Sequence, residues 1–235
     1  MKGEKMHPEP AVYMECPLCN KILMYSDWSP TPFDSAWGFN WSDGKRDGNF
    51  NHIRSALGKC PQCKELFRLR DAREVSKPDD FPRAENIEMV REMIKTLYIK
   101  KPSIEDYQTS LAGIGAWRFG EHDLRFNLWW ALNDFVRYED KKPELFLMHE
   151  KVFKNNLESL LNLLKKDYFL RTEDLFIEAE IARELGDFDA CLLRLDVIPK
   201  KYKKYFMEEE EAACNKIRQF CQQGIRLVQP LSSSL

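Results

Sequence analysis

The sequence lacks any apolar stretch long enough to cross a membrane, which takes about 18 to 20 uncharged residues. Its most apolar window, residues 124–136, is interrupted by Arg125, Asn127 and Asp134. The first ten residues contain charged groups and two prolines where a signal peptide would need an apolar run. We therefore expect a protein with no membrane association and a cytoplasmic location.

The chain also lacks an excess of either charge, because 36 Lys and Arg residues are matched by 38 Asp and Glu residues. A dedicated nucleic-acid-binding protein usually carries a basic excess. The sequence contains no phosphate-binding loop motif, no serine-nucleophile elbow motif and no zinc-protease helix motif. Such motifs are the usual indications of an enzyme, so we favour a non-enzymatic role.

Four of the seven cysteines form two Cys-Pro-x-Cys pairs, Cys16/Cys19 and Cys60/Cys63. Two residues between thiolates let both sulfurs face one ion across a tight turn, and two such turns complete a tetrahedral shell. We predict that these cysteines bind one structural Zn²⁺, with His52 as an alternative ligand. The competing interpretation is a redox thiol pair, which would need a lowered pKa at a helix start in a βαβ unit, and no such pattern is present.

The two pairs resemble the twin knuckles of a zinc ribbon over about residues 11–72. Many zinc ribbons have glycine after the knuckle, where this chain has Asn20 and Lys64. Strand-like runs flank the pairs at residues 11–15, 22–25 and 65–70. The resemblance implies a small domain of short antiparallel strands whose closed shell of four thiolates leaves no position for catalysis.

The 40 residues between the pairs are rich in aromatic residues. Asp43-Gly44 and Asp47-Gly48 suit tight hairpin turns in this insertion. Its tryptophans form either a minor core or, with the neighbouring basic residues, a surface that binds a peptide or single-stranded nucleic acid. The candidate ligand-binding or partner-binding residues are Trp28, Trp37, Trp41, Lys45, Arg46 and Arg54.

From Ala84 onward, apolar residues recur at helical spacing, for example over residues 87–98 and 124–135. Ser103 and Asp106 form a capping signature for a short helix. Further helices are predicted over residues 145–164, after Pro143, and from Thr172 to Leu185. We expect a short helix from Phe188 that ends at Pro199, and a last one over residues 206–220.

Gly186, Asp187 and Phe188, with Cys191 at a small-residue position, resemble the turn between the helices of a tetratricopeptide repeat. Glycine permits a positive φ between two helices, and a small side chain lets them approach closely. The resemblance implies helical hairpins of this kind over about residues 170–222. An irregular helical bundle with one such turn is the alternative.

Together these patterns predict an α+β protein with four parts. They are a zinc-ribbon domain with its aromatic insertion (1–76), a linker (77–83), an all-α domain (84–229) and a flexible tail (230–235). The predicted function is a non-enzymatic zinc-binding adaptor whose helical surface binds a protein partner. The alternatives are a nucleic-acid-binding protein that uses the insertion, and an enzyme with a site near Trp117, Arg118, His122 and Arg125.

Overall fold

The computed structural model confirms the α+β class, with short antiparallel strands in the N-terminal region followed by helices. It describes residues 12–25, 41–45, 57–75, 97–137, 142–166, 172–201 and 208–231. The predicted linker, residues 77–83, lies outside them. The chain divides into two compact units, one of residues 1–34 and 48–106 and the other of residues 35–47 and 107–235. The described residues 41–45 of the predicted aromatic insertion fall in the second unit, with the helices.

The first unit, which we call the strand unit, contains two small antiparallel sheets. The strands are β1 (Val12–Glu15), β2 (Ile22–Tyr25), β3 (Leu57–Lys59), β4 (Leu66–Arg68) and β5 (Arg73–Val75). β1 lies between β2 and β5 in one sheet, and β3 pairs with β4 in the other. The strand predicted over residues 65–70 ends early, because a 3₁₀ turn begins at Leu69.

Residues 98–100 connect the two sheets of the strand unit. The Ile99 amide donates to the carbonyl of Met24 in β2 at 3.0 Å. Lys100 and Lys59 of β3 exchange two backbone hydrogen bonds of 2.8 and 3.0 Å. The helix predicted over residues 87–98 lies mainly outside the described residues. Its last predicted residue, Tyr98, instead forms a parallel bridge to Met24 of β2. The segment thereby pairs backbone groups at the edges of both sheets.

Eight helices are present in the part of the chain that the structure describes. They are α1 (Ile104–Ala112), α2 (Gly115–Phe119), α3 (Glu121–Arg137), α4 (Pro143–Met148), α5 (Glu150–Leu164), α6 (Thr172–Leu185), α7 (Phe188–Lys201) and α8 (Glu208–Gln222). The predicted cap at the start of α1 is confirmed. The Asp106 amide donates to Ser103 Oγ at 3.2 Å, and the Ser103 amide donates to Asp106 Oδ2 at 2.9 Å.

Two helix boundaries differ from the prediction. The single helix expected over residues 145–164 is broken at His149, whose ψ of 8° is not helical. His149 is half-buried and stacks on Phe135 with ring centroids 5.9 Å apart. Helix α7 also continues through Pro199 instead of ending there. Proline has no N–H for the carbonyl of Leu195, and Arg218 Nη2 donates to that carbonyl at 3.2 Å, which compensates for the lost bond.

A tight turn joins α6 and α7 into a helical hairpin. Gly186 adopts a φ of 88°, which a side chain would disfavour, and Asp187 Oδ1 accepts the Ala190 amide at 3.1 Å at the start of α7. The second compact unit, which we call the helical unit, has its core between α6, α7 and α8. Cys191 is fully buried in this core. The hairpin agrees with the predicted turn, whereas the tetratricopeptide-like character of the helices over residues 170–222 stays a prediction.

Candidate metal centre

The two hairpins of the strand unit carry the four cysteines of the Cys-Pro-x-Cys pairs. Cys16 follows β1, and Cys19 lies in the turn that leads to β2. Cys60 and Cys63 occupy the same places between β3 and β4. Cys16 and Cys60 are fully buried, Cys63 is half-buried and Cys19 is exposed. Each pair is thus held in a tight turn by antiparallel pairing of the strands on either side.

The backbone has the same geometry in both turns. The amides of Asn20 and Lys64 donate to the carbonyls of Cys16 and Cys60 at 2.9 and 3.0 Å. Asn20 and Lys64 have φ angles of 56° and 67°, a left-handed conformation that Asn tolerates and Lys adopts less readily. In the second turn the Gln62 amide also points at Cys60 Sγ, at 3.4 Å. The Gln62 amide is thus placed to stabilise a thiolate at Cys60, because a hydrogen bond to the charged form of a group favours that form.

The sulfur atoms are close enough to share one ion. The distance is 4.0 Å between the Sγ atoms of Cys16 and Cys63, and 3.8 Å between those of Cys19 and Cys60. All four Sγ atoms lie within 4.8 Å of one another. A disulfide would bring two sulfurs to about 2.05 Å. A tetrahedron with metal–sulfur bonds of about 2.3 Å has edges of about 3.8 Å, so the spacing fits a four-thiolate metal site.

Burial affects the ionisation of these thiols. Desolvation raises the pKa of Cys16 and raises the pKa of Cys60 to about 12. The pKa of Cys19 is lowered, chiefly by the backbone amide of Lys21. Buried thiols of raised pKa stay protonated at neutral pH unless a cation compensates the thiolate charge. A bound divalent cation would supply that compensation.

The sequence left two alternatives for this site, a thiol redox pair and His52 as a metal ligand. The sheets around the cysteines are antiparallel, which differs from the βαβ setting of a thiol redox pair. His52, the alternative ligand, lies outside the described residues. Within the described part of the chain, the four cysteines are the only group of three or more cysteine, histidine or acidic residues placed to bind a metal. The predicted ligands are therefore brought together, without the structure identifying the ion.

The candidate residues of the aromatic insertion are not brought together as one surface. Trp28, Trp37, Arg46 and Arg54 lie outside the described residues. Trp41 and Lys45 belong to the helical unit. The guanidinium of Arg137 lies 5.3 Å from the centroid of the Trp41 ring. Binding of nucleic acid through the insertion stays a prediction.

Residues 41–45, which we call the docked turn, are bound to the helical unit through Ser42 and Asp43. The predicted tight turn at Asp43-Gly44 is present, since the Gly44 amide donates to the carbonyl of Trp41 at 3.0 Å. Ser42 and Gln229, which follows α8 in the chain, exchange hydrogen bonds: the Ser42 amide donates to the Gln229 carbonyl at 2.8 Å, and the Gln229 amide donates to Ser42 Oγ at 3.0 Å.

Asp43 is almost completely buried, at 1% exposure, and is surrounded by donors from α3. Asn133 Nδ2 donates to Asp43 Oδ2 at 2.9 Å, and the Arg137 guanidinium donates to the same oxygen. Trp130 Nε1 donates to the backbone carbonyl of Asp43 at 3.1 Å. At the edge of the turn, Lys45 Nζ pairs with Asp134 at 2.6 Å. The docked turn therefore supplies the carboxylate that compensates the buried charge of Arg137.

A second buried ion pair lies beside the docked turn, on α6. Arg183 Nε donates to Glu180 Oε2 at 2.8 Å, and both side chains are fully buried. The Arg183 guanidinium also donates to Ser42 Oγ at 3.3 Å and to the carbonyl of Leu227 at 3.1 Å. It thus joins the docked turn, α6 and the C-terminal segment in one hydrogen-bonded network. Buried networks of this kind stabilise a fold when every member is satisfied.

Glu184 completes this network from the next turn of α6. Trp129 Nε1 donates to Glu184 Oε2 at 2.6 Å, and Asn133 Nδ2 donates to its other oxygen at 3.2 Å. Burial raises the pKa of Glu184 well above its ordinary value of 4.5, and the charge of Glu180 adds to this effect. Glu184 is therefore protonated over a pH range in which an exposed glutamate is ionised.

We expect Glu184→Gln to flatten the pH dependence of stability. In the native chain the folded state holds this proton more tightly than the unfolded state, so stability is lost as pH rises from 4.5 toward the raised pKa. Glutamine has no carboxyl proton to release, so the variant does not lose stability in this way as the pH rises. Unfolding in urea, followed by helical circular dichroism, should favour the variant increasingly as the pH rises above 4.5, by up to about 1.4 kcal/mol per pH unit. The exposed Glu158→Gln is the control, and parallel pH profiles for Glu184→Gln and the native chain would contradict the assignment.

Two of the residues considered for an enzyme site, Arg125 and His122, lie beside acidic residues of their own helix, and Arg125 also donates to Asn156 of α5 at 3.5 Å. Arg125 pairs with Glu121 at 2.7 Å. His122 Nδ1 lies 3.5 Å from Asp123 Oδ1. The side chain of Trp117 is not among those described. Within the described residues we find no convergence of these groups on a common point, so they provide no geometric support for catalysis.

Sequence reasoning missed the network of Asp43, Arg137, Glu180, Arg183 and Glu184. Charged side chains are usually solvated, and nothing in the sequence around these five residues predicts that they are buried. The one local indication was the Asp43-Gly44 pair. It predicted the tight turn but not the burial of Asp43 against α3.

The comparisons with known proteins give no name to this arrangement. The chain matches no family model, no curated protein and no solved structure. No helix among the described residues combines the length and apolar character needed to cross a membrane.

Proposed function

We propose that this protein is a non-enzymatic zinc-binding adaptor, in which the ion holds the strand unit together and the helical unit binds a protein partner. The observation that carries the proposal is the approach of four cysteine sulfurs to within 4.8 Å across two hairpin turns. Sulfur ligands in tetrahedral arrangement are typical of zinc, which has no redox chemistry of its own. Cys16, Cys19, Cys60 and Cys63 would hold the ion.

A structural rather than catalytic role follows from the number of ligands. Four thiolates fill a tetrahedral shell and leave no open position for water or substrate. The strand unit is also small: its described core consists of Leu23, Phe67 and Leu69 with the buried Cys16 and Cys60. Small domains with such cores depend on metals or disulfides for stability. Metal binding would therefore supply much of the folding free energy of this unit.

A partner-binding role for the helical unit is supported by two exposed apolar residues on α7. Leu193 and Val197 are 67% and 40% exposed and lie one helical turn apart, so their side chains share one face. Neighbouring apolar side chains of this kind gain free energy when a partner covers them. We propose that this pair contributes to the protein-binding surface.

Purification from cells without chelator tests both parts of the proposal. We expect one zinc per chain by elemental analysis, together with a protein that co-purifies in fixed proportion. Replacing both apolar residues, as Leu193→Lys with Val197→Lys, should leave the zinc content unchanged and reduce the co-purifying protein at least tenfold.

The matched control places two lysines one turn apart on another exposed helix face, as Glu158→Lys with Asn162→Lys on α5. This control should retain both zinc and partner. A metal other than zinc, or no metal, would contradict the first part. An undiminished partner in the Leu193/Val197 variant would contradict the second.

A further inference from the structure

Three cysteines outside the candidate metal centre lie in the core of the helical unit. Cys191 is on α7, and Cys214 and Cys221 are on α8, about two helical turns apart. The Sγ atoms of Cys191 and Cys221 are 3.3 Å apart. This distance is shorter than the 3.8 and 4.0 Å between the paired sulfurs of the metal centre. Two thiols from different helices are therefore in direct contact.

Metal binding does not explain the contact between Cys191 and Cys221. A structural zinc site takes four protein ligands. In the part of the chain that the structure describes, no third cysteine, histidine or acidic residue joins this pair in a group placed to hold an ion. Two neighbouring thiols can instead form a disulfide, in which the sulfurs are about 2.05 Å apart. The sulfurs would have to approach each other by about 1.2 Å, which small rotations of the two side chains can supply.

The two thiols differ in how readily they ionise. Burial raises the pKa of both. The contact between them raises the pKa of Cys191 further and lowers that of Cys221, and the guanidinium of Arg183 on α6 also lowers the pKa of Cys221. Glu180 is the other charged group of α6 that acts on the pair, and it acts in the opposite direction. Cys221 is 6% exposed and Cys191 is fully buried, so Cys221 is the thiol that ionises first and that a reagent reaches first.

We propose that Cys191 and Cys221 are a modification site at which a small, uncharged hydroperoxide forms a disulfide between α7 and α8. The Cys221 thiolate attacks one oxygen of the hydroperoxide, the O–O bond breaks, and the other oxygen leaves with a proton as an alcohol, or as water when the reagent is hydrogen peroxide. The sulfur of Cys191 then attacks the sulfenic acid of Cys221. The S–S bond forms, the S–O bond breaks, and the hydroxyl group leaves with the thiol proton as water. The two thiols lose two electrons and two protons, and the hydroperoxide gains them.

Burial determines which oxidants fit this site. The pair is 0% and 6% exposed, so it admits hydrogen peroxide more readily than a bulky, charged disulfide such as oxidised glutathione. Burial also makes the reaction slow at neutral pH, because only the thiolate attacks. The bridge would join residues 30 positions apart in the sequence and tie together two helices of one core. Such a constraint on the unfolded chain stabilises the helical unit.

Oxidation of the full chain, as purified, by hydrogen peroxide tests the proposal. Peptide mapping without reduction should find Cys191 joined to Cys221 in most chains, with a mass about 2 Da below that of the two thiol peptides. The rate should rise about tenfold per pH unit between about pH 7 and pH 9, because the pKa of Cys221 lies above this range. Oxidised glutathione at equal concentration should react at least about tenfold more slowly. The melting temperature of the helices should rise by roughly 5 °C and return on reduction with dithiothreitol.

Alanine variants separate the roles of the two thiols. Cys191→Ala should leave Cys221 oxidised to the sulfenic acid or beyond, with no bridge, and Cys221→Ala should leave Cys191 a free thiol. Cys214→Ala, the matched control in the same core, should form the bridge at the native rate. If the variants do not fold, mapping of the native chain decides. No bridge between Cys191 and Cys221 in the native chain, a bridge formed only in urea, or a rate that ignores pH would each overturn the proposal, as would oxidation of Cys191 in Cys221→Ala.

Discussion

Replacing Cys60 by serine is expected to remove bound zinc and unfold the strand unit. Cys60 is fully buried and its sulfur lies 3.8 Å from that of Cys19, so a hydroxyl in its place removes one of four ligands from the centre of the site. Structural zinc contributes about 10–16 kcal/mol to the folding of small metal domains, far more than the small apolar core of this unit can replace. Elemental analysis after exposure to a chelator should show less than about a tenth of the native zinc content.

The helical signal in circular dichroism should survive this substitution largely unchanged. The core between α6, α7 and α8 includes Leu195, Ile198 and Ile217, which belong to the helical unit, whereas the four cysteines belong to the strand unit. The matched control is Cys214→Ala, which removes a buried thiol from that core. It should retain a full equivalent of zinc. A full equivalent in Cys60→Ser would show that the ligand set is wrong.

The metal centre could be predicted from sequence because its signals are local. A Cys-Pro-x-Cys pair specifies a tight turn by itself, and the strands beside it are short runs of alternating residues. The same holds for Gly186, whose positive φ is a property of one residue and its turn. The ends of helices were less predictable. The break at His149 and the continuation through Pro199 depend on tertiary contacts, such as the bond from Arg218 to the carbonyl of Leu195.

The buried network could not be predicted because it joins distant parts of the chain. Asp43 and Arg137 are 94 residues apart, and Ser42 and Gln229 are 187 residues apart. Read locally, Asp43 is a turn residue and Arg137 is a cation in the last turn of a helix, where a basic residue is expected to face solvent. Only the fold shows that each compensates the other. The division of the chain into two interleaved units has the same origin.

The largest effect on the helical unit is expected from Arg183→Met. Arg183 is fully buried, and its guanidinium donates hydrogen bonds to Glu180, to Ser42 Oγ and to the carbonyl of Leu227. Methionine has a similar length but no donors, so the buried carboxyl group of Glu180 would lose the guanidinium to which it is hydrogen-bonded. Breaking a buried pair in this way costs about 3–5 kcal/mol. Thermal unfolding followed by helical circular dichroism should show a melting temperature lower by roughly 10 °C.

A double variant separates the loss of the ion pair from the loss of packing. In Arg183→Met with Glu180→Leu, the unpaired carboxylate is gone as well, and part of the stability should return because an apolar pair of similar volume can replace a buried ion pair. The recovery should be incomplete, because the hydrogen bonds from Arg183 to Ser42 Oγ and to the carbonyl of Leu227 are still missing. If the double variant is as unstable as the sum of its two single substitutions, the two side chains do not act as a pair. A melting temperature unchanged within about 2 °C in Arg183→Met would show that the network contributes little to the stability of the helices.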